Sequence, residues 1–285
     1  MYYTLFLVYN KPKELIILQI TTLIENHSHS ALLSEHGLAL YIDDDDEKIL
    51  FDLGKSDRLF TNAKELAIDL SQIKKVIISH AHYDHSGGFI KLNQVNKDFT
   101  LMVKNTFFQE KYKLKDGNYI YNGIPFKKED VSELHYVKNL EQITNNLYIV
   151  TDFKTTNGFE KVNYHYYIKK ANNYILDNFS DEIALVYKSK KGLFLIVACS
   201  HKGIINILES VKSNFSKPIV GIIGGIHLKD ASSLRQEKTL LELQKYPLEL
   251  LALSHCTGDI FMNKLKLLYP EKFIYNDTGN IINLD

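Results

Sequence analysis

Short apolar runs rich in β-branched residues alternate along the chain with segments of helical periodicity, and this alternation limits the folds open to it. One apolar face is present in each of the segments RLFTNAKELAIDL, GIINILESV, SLRQEKTLLEL and DIFMNKLKLL. The runs expected to form strands are residues 15–23, 39–42, 48–52, 75–79, 183–187, 193–198, 218–223, 250–254 and 273–275. Strands that alternate with amphipathic helices predict a layered α/β domain.

The composition is that of a folded protein with a sizeable core. The chain has 285 residues, of which 45% are hydrophobic. Basic and acidic residues number 34 each, and this balance argues against a dedicated nucleic-acid or membrane-surface protein. Because the chain has only two cysteines, we do not expect a disulfide framework. We expect a cytoplasmic location. The N-terminal apolar run is expected to be a strand or an extension, and neither a signal peptide nor a membrane helix.

The stretch 103–174 differs from the rest of the chain, because it is rich in Tyr, Lys and Asn and has weak periodicity. Ordinary connections in compact domains are much shorter. We therefore expect one domain over residues 1–285 with an insertion or lid at 103–174. Its Tyr and Lys side chains could bind an anionic, ring-containing small molecule.

The segment SHAHYDHSGG carries three histidines and an aspartate within six positions. It follows the apolar run VIIS, so the first histidine lies where a strand is expected to end. In an extended segment residues two apart point the same way, which aims His80, His82 and Asp84 at one point, and a turn can bring His85 round. Imidazole and carboxylate are common zinc ligands. The alternative is a polar loop with surface histidines.

Polar clusters also follow other expected strands. The run LFLIVA continues into Cys199 and His201, IVGIIGG into His227, LLALS into His255, and ILF into Asp52. In open α/β sheets, sites form where strands end and loops begin. Several histidines at strand ends favour a metal site over a set of surface loops.

The motif H-x-H-x-D-H resembles the signature of the metallo-β-lactamase superfamily, whose fold is an αββα sandwich with a metal site at one edge. Nearly the whole chain resembles one branch of it, the 7,8-dihydropterin-6-yl-methyl-4-(β-D-ribofuranosyl)aminobenzene-5'-phosphate synthase-like proteins, usually labelled metal-dependent hydrolases. The segments that carry this resemblance are, in order, SEHGLALYI, ILFDLGKS, SHAHYDHSGG, DNFSDEIALV, ACSHKGIINILES, GGIHL and SHCTGDIF.

The resemblance implies a site for two metal ions, zinc first and iron or manganese as alternatives. The residues implied for the first ion are His80, His82 and His201, and those for the second are Asp84, His85 and His255. His165 or His227 could replace His201 as a ligand.

One departure from the family concerns the aspartate that bridges the metals in many members. Here the corresponding strand ends in Ala198-Cys199-Ser200-His201. Either His201 is a ligand and water alone bridges the ions, or Cys199 contributes sulfur. Asp52 is expected to accept a hydrogen bond from a metal-bound imidazole, or else only to cap its own turn.

The expected reaction is hydrolysis, or a related transfer, in which a metal-bound hydroxide attacks an ester, lactone, amide or phosphoester. Asp84 would orient the hydroxide and accept its proton, and His227 would donate a proton or bind an anion unless it is an ordinary loop histidine. Two other classes stay open: an iron oxidoreductase, which His82 and the lack of a flavin domain disfavour, and a non-catalytic metal-dependent binding protein.

Overall fold

The computed structural model describes residues 18–44, 47–161 and 164–285. Within these residues two seven-stranded sheets and a smaller four-stranded sheet are formed. The first large sheet has the spatial order β18 (Ile281–Leu284), β1 (Leu18–Ile24), β2 (Ala39–Asp44), β3 (Glu47–Phe51), β4 (Lys75–Ile77), β5 (Thr100–Val103) and β8 (Leu134–Tyr136). The second has the order β17 (Phe273–Tyr275), β16 (Leu250–Leu253), β15 (Ile219–Gly224), β14 (Leu193–Val197), β13 (Ala184–Lys188), β10 (Leu147–Val150) and β9 (Leu140–Gln142).

The small sheet has the order β12 (Asn173–Leu176), β11 (Tyr166–Lys170), β6 (Lys111–Lys115) and β7 (Asn118–Tyr121). The α-helices are α1 (Arg58–Glu65), α2 (Tyr83–Ser86), α3 (Phe89–Val95), α4 (Ile204–Asn214), α5 (Ser233–Leu243) and α6 (Asp259–Leu268). None of the helices in the described ranges is long and apolar enough to cross a membrane.

The layers follow from where the apolar side chains lie. One cluster of buried residues, including Ile20 and Ile42 from the first sheet and Ile196 and Ile223 from the second, fills the space between the large sheets. A second cluster joins the outer face of the first sheet to α1 and α3. A third joins the outer face of the second sheet to α4, α5 and α6. The result is the αββα sandwich that the sequence predicts.

The topology brings several strand ends to one edge of the sandwich. Strands β14, β15 and β16 are parallel neighbours, so their carboxyl ends lie side by side. In the first sheet β3 and β4 are also parallel. Each strand except β3 leads into a loop that carries one or more of the candidate histidines, and β3 leads into Asp52.

The expected strands within the described residues are all present, with ends that differ by one or two residues. Residues 15–17 of the first expected strand, like the rest of the N-terminal run, lie outside the described residues. The four helical segments form α1, α4, α5 and α6.

The strands within the stretch expected to be an insertion divide between the large sheets and a separate small sheet. Within 103–174, strand β8 pairs with β5 of the first sheet and β10 pairs with β13 of the second. Only β6, β7 and β11 lie outside the large sheets, and they pair with β12, which extends to Leu176. The separate unit is therefore a small antiparallel sheet built from two hairpins, and the chain between them belongs to the core.

Candidate metal centre

The candidate residues converge at the edge where the strands end. His80 and His82 follow β4, Asp84 and His85 lie in the short helix α2, and His255 follows β16. His201 lies in the loop between β14 and α4, and all six side chains are buried. Residues from both large sheets therefore face one another across the edge of the sandwich.

His80, His82 and His201 form one cluster. One nitrogen from each of the three rings lies within 4.8 Å of the other two. The Nε2 atom of His80 is 3.0 Å from Nδ1 of His82. Among the described residues, Nε2 of His82 and both ring nitrogens of His201 have no hydrogen-bond partner although they are buried. Buried polar atoms are rarely left unpaired, so these nitrogens are free to bind a metal ion.

Asp84, His85 and His255 form the second cluster, again with one donor atom each within 4.8 Å of the others. The Oδ2 atom of Asp84 lies 3.7 Å from Nε2 of His85 and 3.6 Å from Nε2 of His255. His36 reaches the same oxygen through its Nε2 atom at 3.2 Å. The two clusters are the two ligand sets implied by the sequence resemblance.

A buried carboxylate orients the rings from behind. Oδ2 of Asp52 lies 2.7 Å from Nδ1 of His85, and the side chain also accepts hydrogen bonds from the N–H and hydroxyl of Ser79. The Ser79 hydroxyl in turn lies 2.8 Å from Nδ1 of His80. These bonds engage Nδ1 of His80 and Nδ1 of His85. Nε2 of His80 therefore faces the first cluster, and Nε2 of His85 faces the second. Such outer contacts fix ring orientation in metal sites.

Two further carboxylates support the loops, and sequence reasoning did not find them. Glu182 accepts hydrogen bonds from the backbone N–H of His201 at 2.6 Å and of Lys202 at 2.7 Å. Glu25 accepts one from the backbone N–H of His255. Glu182 lies next to a strand in the segment DNFSDEIALV, which is one of the segments that carry the family resemblance. Its position in that segment could have indicated a role at the site. Glu25 gave none, because its partner lies 230 positions away in the sequence.

A buried lysine ties the small sheet to the metal loop. Lys111 of β6 is 1% exposed, and its Nζ lies 2.7 Å from both Asp177 and Asp181. Asp181 also accepts a hydrogen bond from the backbone N–H of Ala81, between the first two histidines of the motif. Burying a charge is unfavourable unless it is paired, and here two carboxylates face one ammonium group.

Cys199 and His227 lie beside the clusters. The Sγ atom of Cys199 is 3.2 Å from Nε2 of His85, and Cys199 also groups with His255 and Cys256. The ring of His227 lies 4.3 Å from that of His201, and its Nδ1 is buried without a partner among the described residues. His165 joins none of the clusters in the described part of the chain. Sulfur is thus within reach of the site, and both alternatives for the missing bridge remain compatible with the geometry.

The loop backbone is held in conformations that side chains rarely adopt. Asp52, His227 and His255 all have positive φ angles, of 62°, 46° and 55°. Each such residue costs free energy that the surrounding structure must offset, and such residues cluster at functional sites. Gly224 at φ 109° ends β15, and a Cβ there would lie 1.8 Å from the carbonyl oxygen of Val197. The glycine is required for this close approach.

The protonation of the rings follows from their burial. Burial lowers the pKa of His80, His82, His201 and His255 well below 6.5, so these imidazoles are neutral and offer a lone pair. Burial also acts on His85, but the carboxylates of Asp52 and Asp84 outweigh it and raise its pKa to about 9. A metal ion at His85 would displace that proton. Nitrogen and carboxylate donors in this number fit zinc.

Comparisons with known proteins find similar sequences and similar folds. A family model described as the metallo-beta-lactamase superfamily matches residues 35–164. A 7,8-dihydropterin-6-methyl-4-(beta-D-ribofuranosyl)-aminobenzene-5'-phosphate synthase from Methanocaldococcus jannaschii is 29% identical over 283 residues, which cover 93% of this chain and 96% of the relative.

Two solved structures share the fold. The crystal structure of Tm1679, titled a metal-dependent hydrolase of the beta-lactamase superfamily, has a TM-score of 0.81 and 28% identity and covers 94% of this chain and 99% of its own. The metallo-beta-lactamase fold protein YhfI from Bacillus subtilis has a TM-score of 0.57, with 14% identity, and covers 94% of this chain and 99% of its own. Over residues 35–164 the chain is similar in sequence to the metallo-β-lactamase superfamily, and over most of its length it is similar in fold to Tm1679.

Proposed function

We propose that the protein is a hydrolase that uses two zinc ions to cleave an ester, lactone, amide or phosphoester bond in a small molecule. The observation that carries this proposal is the pair of facing three-residue clusters, each buried and each made of zinc-type donors. Unpartnered buried nitrogens in the first cluster support a bound ion there.

In this proposal His80, His82 and His201 hold one ion, and Asp84, His85 and His255 hold the other. When bound, the ions would supply a water molecule that ionises near neutral pH and would polarise the oxygen beside the bond to be cleaved. Asp84 directs one oxygen at His85 and His255. Its other oxygen can orient the water molecule and accept its proton.

His227 adds a further candidate group to the proposed chemistry. It lies in the cleft of about 220 Å³ that is also lined by His82, His201 and His255. An imidazole at this place can donate a proton to the departing group or bind an anion on the substrate.

A transfer reaction is the second candidate, because the 29% identical relative is named a synthase and covers almost the full chain. The same ligands would serve both reactions, and only the acceptor differs. We further propose a cytoplasmic location, which two buried free cysteines support, since such thiols persist in reducing compartments.

The test combines metal analysis with a substrate screen. Purified protein is assayed for bound metals and against esters, lactones, phosphodiesters and reduced pterins, before and after chelation and zinc readdition. We expect hydrolysis that chelation abolishes and zinc restores. His82→Ala should lose metal and activity while the circular dichroism spectrum stays unchanged, because the sandwich core does not include the site.

His135→Ala is the matched control, because this histidine is partly exposed and its ring hydrogen-bonds Glu141, away from the two clusters. It should keep both metal and activity. Full activity after exhaustive chelation would refute the proposal. Turnover only when a second substrate accepts the transferred group would favour the synthase-type reaction.

A further inference from the structure

A large cavity adjoins the candidate metal centre. It has a volume of about 890 Å³ and opens between the small sheet and the start of α5. Lys113, Tyr166, His227 and Asp230 line both this cavity and the cleft over the metal residues. A molecule bound at the metals can therefore extend into the larger cavity without leaving the protein.

The cavity walls carry an excess of positive charge. Its basic residues are Lys113, Lys115, Lys161, Lys238 and Arg235, against the two acidic residues Asp116 and Asp230. Within the described ranges, none of the five has a carboxylate at ion-pair distance. The four lysines are exposed and Arg235 is half-buried. Unpaired cations that line a concave surface attract anions.

Arg235 is the most informative of these residues. It is half-buried, and the Nε atom of its guanidinium is buried without a hydrogen-bond partner among the described residues. Its own backbone N–H is held by the Ser232 hydroxyl. Glu160 acts on its charge electrostatically, but that carboxylate already accepts hydrogen bonds from the backbone N–H groups of Ile205 and Asn206. A guanidinium with open donors matches the geometry of a carboxylate or phosphate.

Aromatic rings hold two of the lysines at the walls. Nζ of Lys113 lies 5.6 Å from the centre of the Tyr166 ring, and Nζ of Lys238 lies 5.8 Å from that of Phe159. Tyr164 and Leu234 add further apolar surface. The cavity thus offers flat apolar faces next to positive charge, which suits a cyclic body that carries an acidic group.

We propose that this cavity is a subsite for the anionic group of the substrate, a carboxylate or phosphate at a distance from the reacting bond, with Arg235 as its main contact. The link to a reacting bond rests on the proposed function, but the anion site itself does not. The substrate class is then a small cyclic molecule with an oxyanion at one end.

The experiment uses metal-free protein, so that binding at the metals cannot contribute. Phenyl phosphate, benzoate and neutral benzyl alcohol are titrated by isothermal calorimetry at low and high salt. We expect at least one anion to bind, benzyl alcohol not to bind, and the affinity to fall as salt rises. A preference between the two anions identifies the acidic group as phosphate or carboxylate.

The variants are Arg235→Gln and Lys238→Gln, with Arg58→Gln as the matched control. Loss of a charge-assisted contact should weaken anion binding about tenfold or more in Arg235→Gln. Lys238 is exposed, so we expect Lys238→Gln to fold normally. Its anion affinity should fall clearly, but by less than that of Arg235→Gln. Arg58 hydrogen-bonds the carbonyl of Ser34 and does not line the cavity, so Arg58→Gln should bind like the unchanged protein.

The subsite would be overturned if all three variants bound the anion with equal affinity. It would also be overturned if benzyl alcohol bound as well as the anions, or if no anion bound at all. The result is separable from the proposed function, because His82→Ala should still bind the anion. An intact anion site in a protein without any hydrolytic activity would refute the hydrolase and leave the subsite standing.

Discussion

Phe179 lies flat against His201, with ring centres 4.0 Å apart and an angle of 8° between the planes. The same phenyl ring has the ammonium group of Lys111 5.1 Å from its centre. His201 has no hydrogen-bond partner on either ring nitrogen within the described residues, so its orientation depends on packing. The buried lysine and its two aspartates therefore support the ring that we assign to the first metal.

Replacement of Lys111 should be strongly destabilising. Lys111→Met leaves Asp177 and Asp181 buried without their cation, and removal of one partner of a buried ion pair costs about 3–5 kcal/mol of unfolding free energy. Urea unfolding measures the loss. Adding Asp177→Asn to the variant should recover part of it. Lys113→Met, two positions along the same strand but exposed, should change the free energy by about 0.5 kcal/mol or less.

Tyr166 should affect the substrate and leave the metals in place. Its ring centre lies 5.1 Å from that of His82 and 5.4 Å from that of His201, so the small sheet reaches over the site. For Tyr166→Ala we expect unchanged metal content and a KM raised about 2- to 10-fold. This increase corresponds to the binding free energy of one aromatic contact. Tyr167→Ala is the control, because Tyr167 packs on Tyr119 instead. Loss of metal in Tyr166→Ala would contradict this division of roles.

Glu160 should make stability depend on pH. Burial raises its pKa above 4.5 although backbone N–H groups at the start of α4 oppose the shift. A raised pKa in the folded state means that its stabilising contribution is complete below pH 4.5 and is lost as pH rises through the folded pKa. The unfolding free energy of the wild type relative to Glu160→Gln should therefore fall with rising pH.

A second glutamate provides the control for that measurement. A hydrogen bond from Tyr246 lowers the pKa of Glu209, so its contribution is lost as pH falls. The difference between the wild type and Glu209→Gln should then change with pH in the opposite direction. If both differences changed with pH in the same direction, the raised pKa of Glu160 and the lowered pKa of Glu209 could not both be correct.

Cys199 should be dispensable for metal binding. The two clusters of nitrogen and oxygen donors are complete without sulfur. We expect Cys199→Ala to keep the metal content of the wild type, and the cobalt-substituted protein to lack a thiolate charge-transfer absorption. A thiolate band that disappears in Cys199→Ala, together with loss of one ion, would instead make sulfur the bridge in place of the missing aspartate.

The layered α/β fold and the grouping of the four motif residues could be predicted, because both depend on local patterns. Apolar runs and helical faces indicated the layers, and the spacing of the histidine motif indicated that His80, His82, Asp84 and His85 lie together. The αββα arrangement and the roles of His201 and His255 were implied by the family resemblance. The motif residues lie within six positions of one another, so a strand followed by a turn is enough to bring them together.

The strands of the small sheet and the supporting carboxylates other than Asp52 were not predicted, for a different reason. All four residues of β7 are exposed, so this strand has no alternation of buried and exposed positions that could reveal it. Strand β10 has a mostly buried pattern but lies in a segment whose neighbours are polar. Glu25 and Asp181 act on backbone groups far away in the sequence, and a single sequence holds no record of such contacts.

The pairing of β1 with β18 has a consequence for how the site is assembled during folding. Near this strand pair, the side chains of Thr22 and Asn276 form a hydrogen bond although the residues are 254 positions apart. Glu25 hydrogen-bonds the backbone of His255 across a similar span. Closing so long a loop is entropically costly, and non-local pairings form late. We therefore predict that the second cluster forms late in folding, after the first. Stopped-flow refolding with a metal-sensitive dye should show two uptake phases, and the slower one should coincide with the final structural transition.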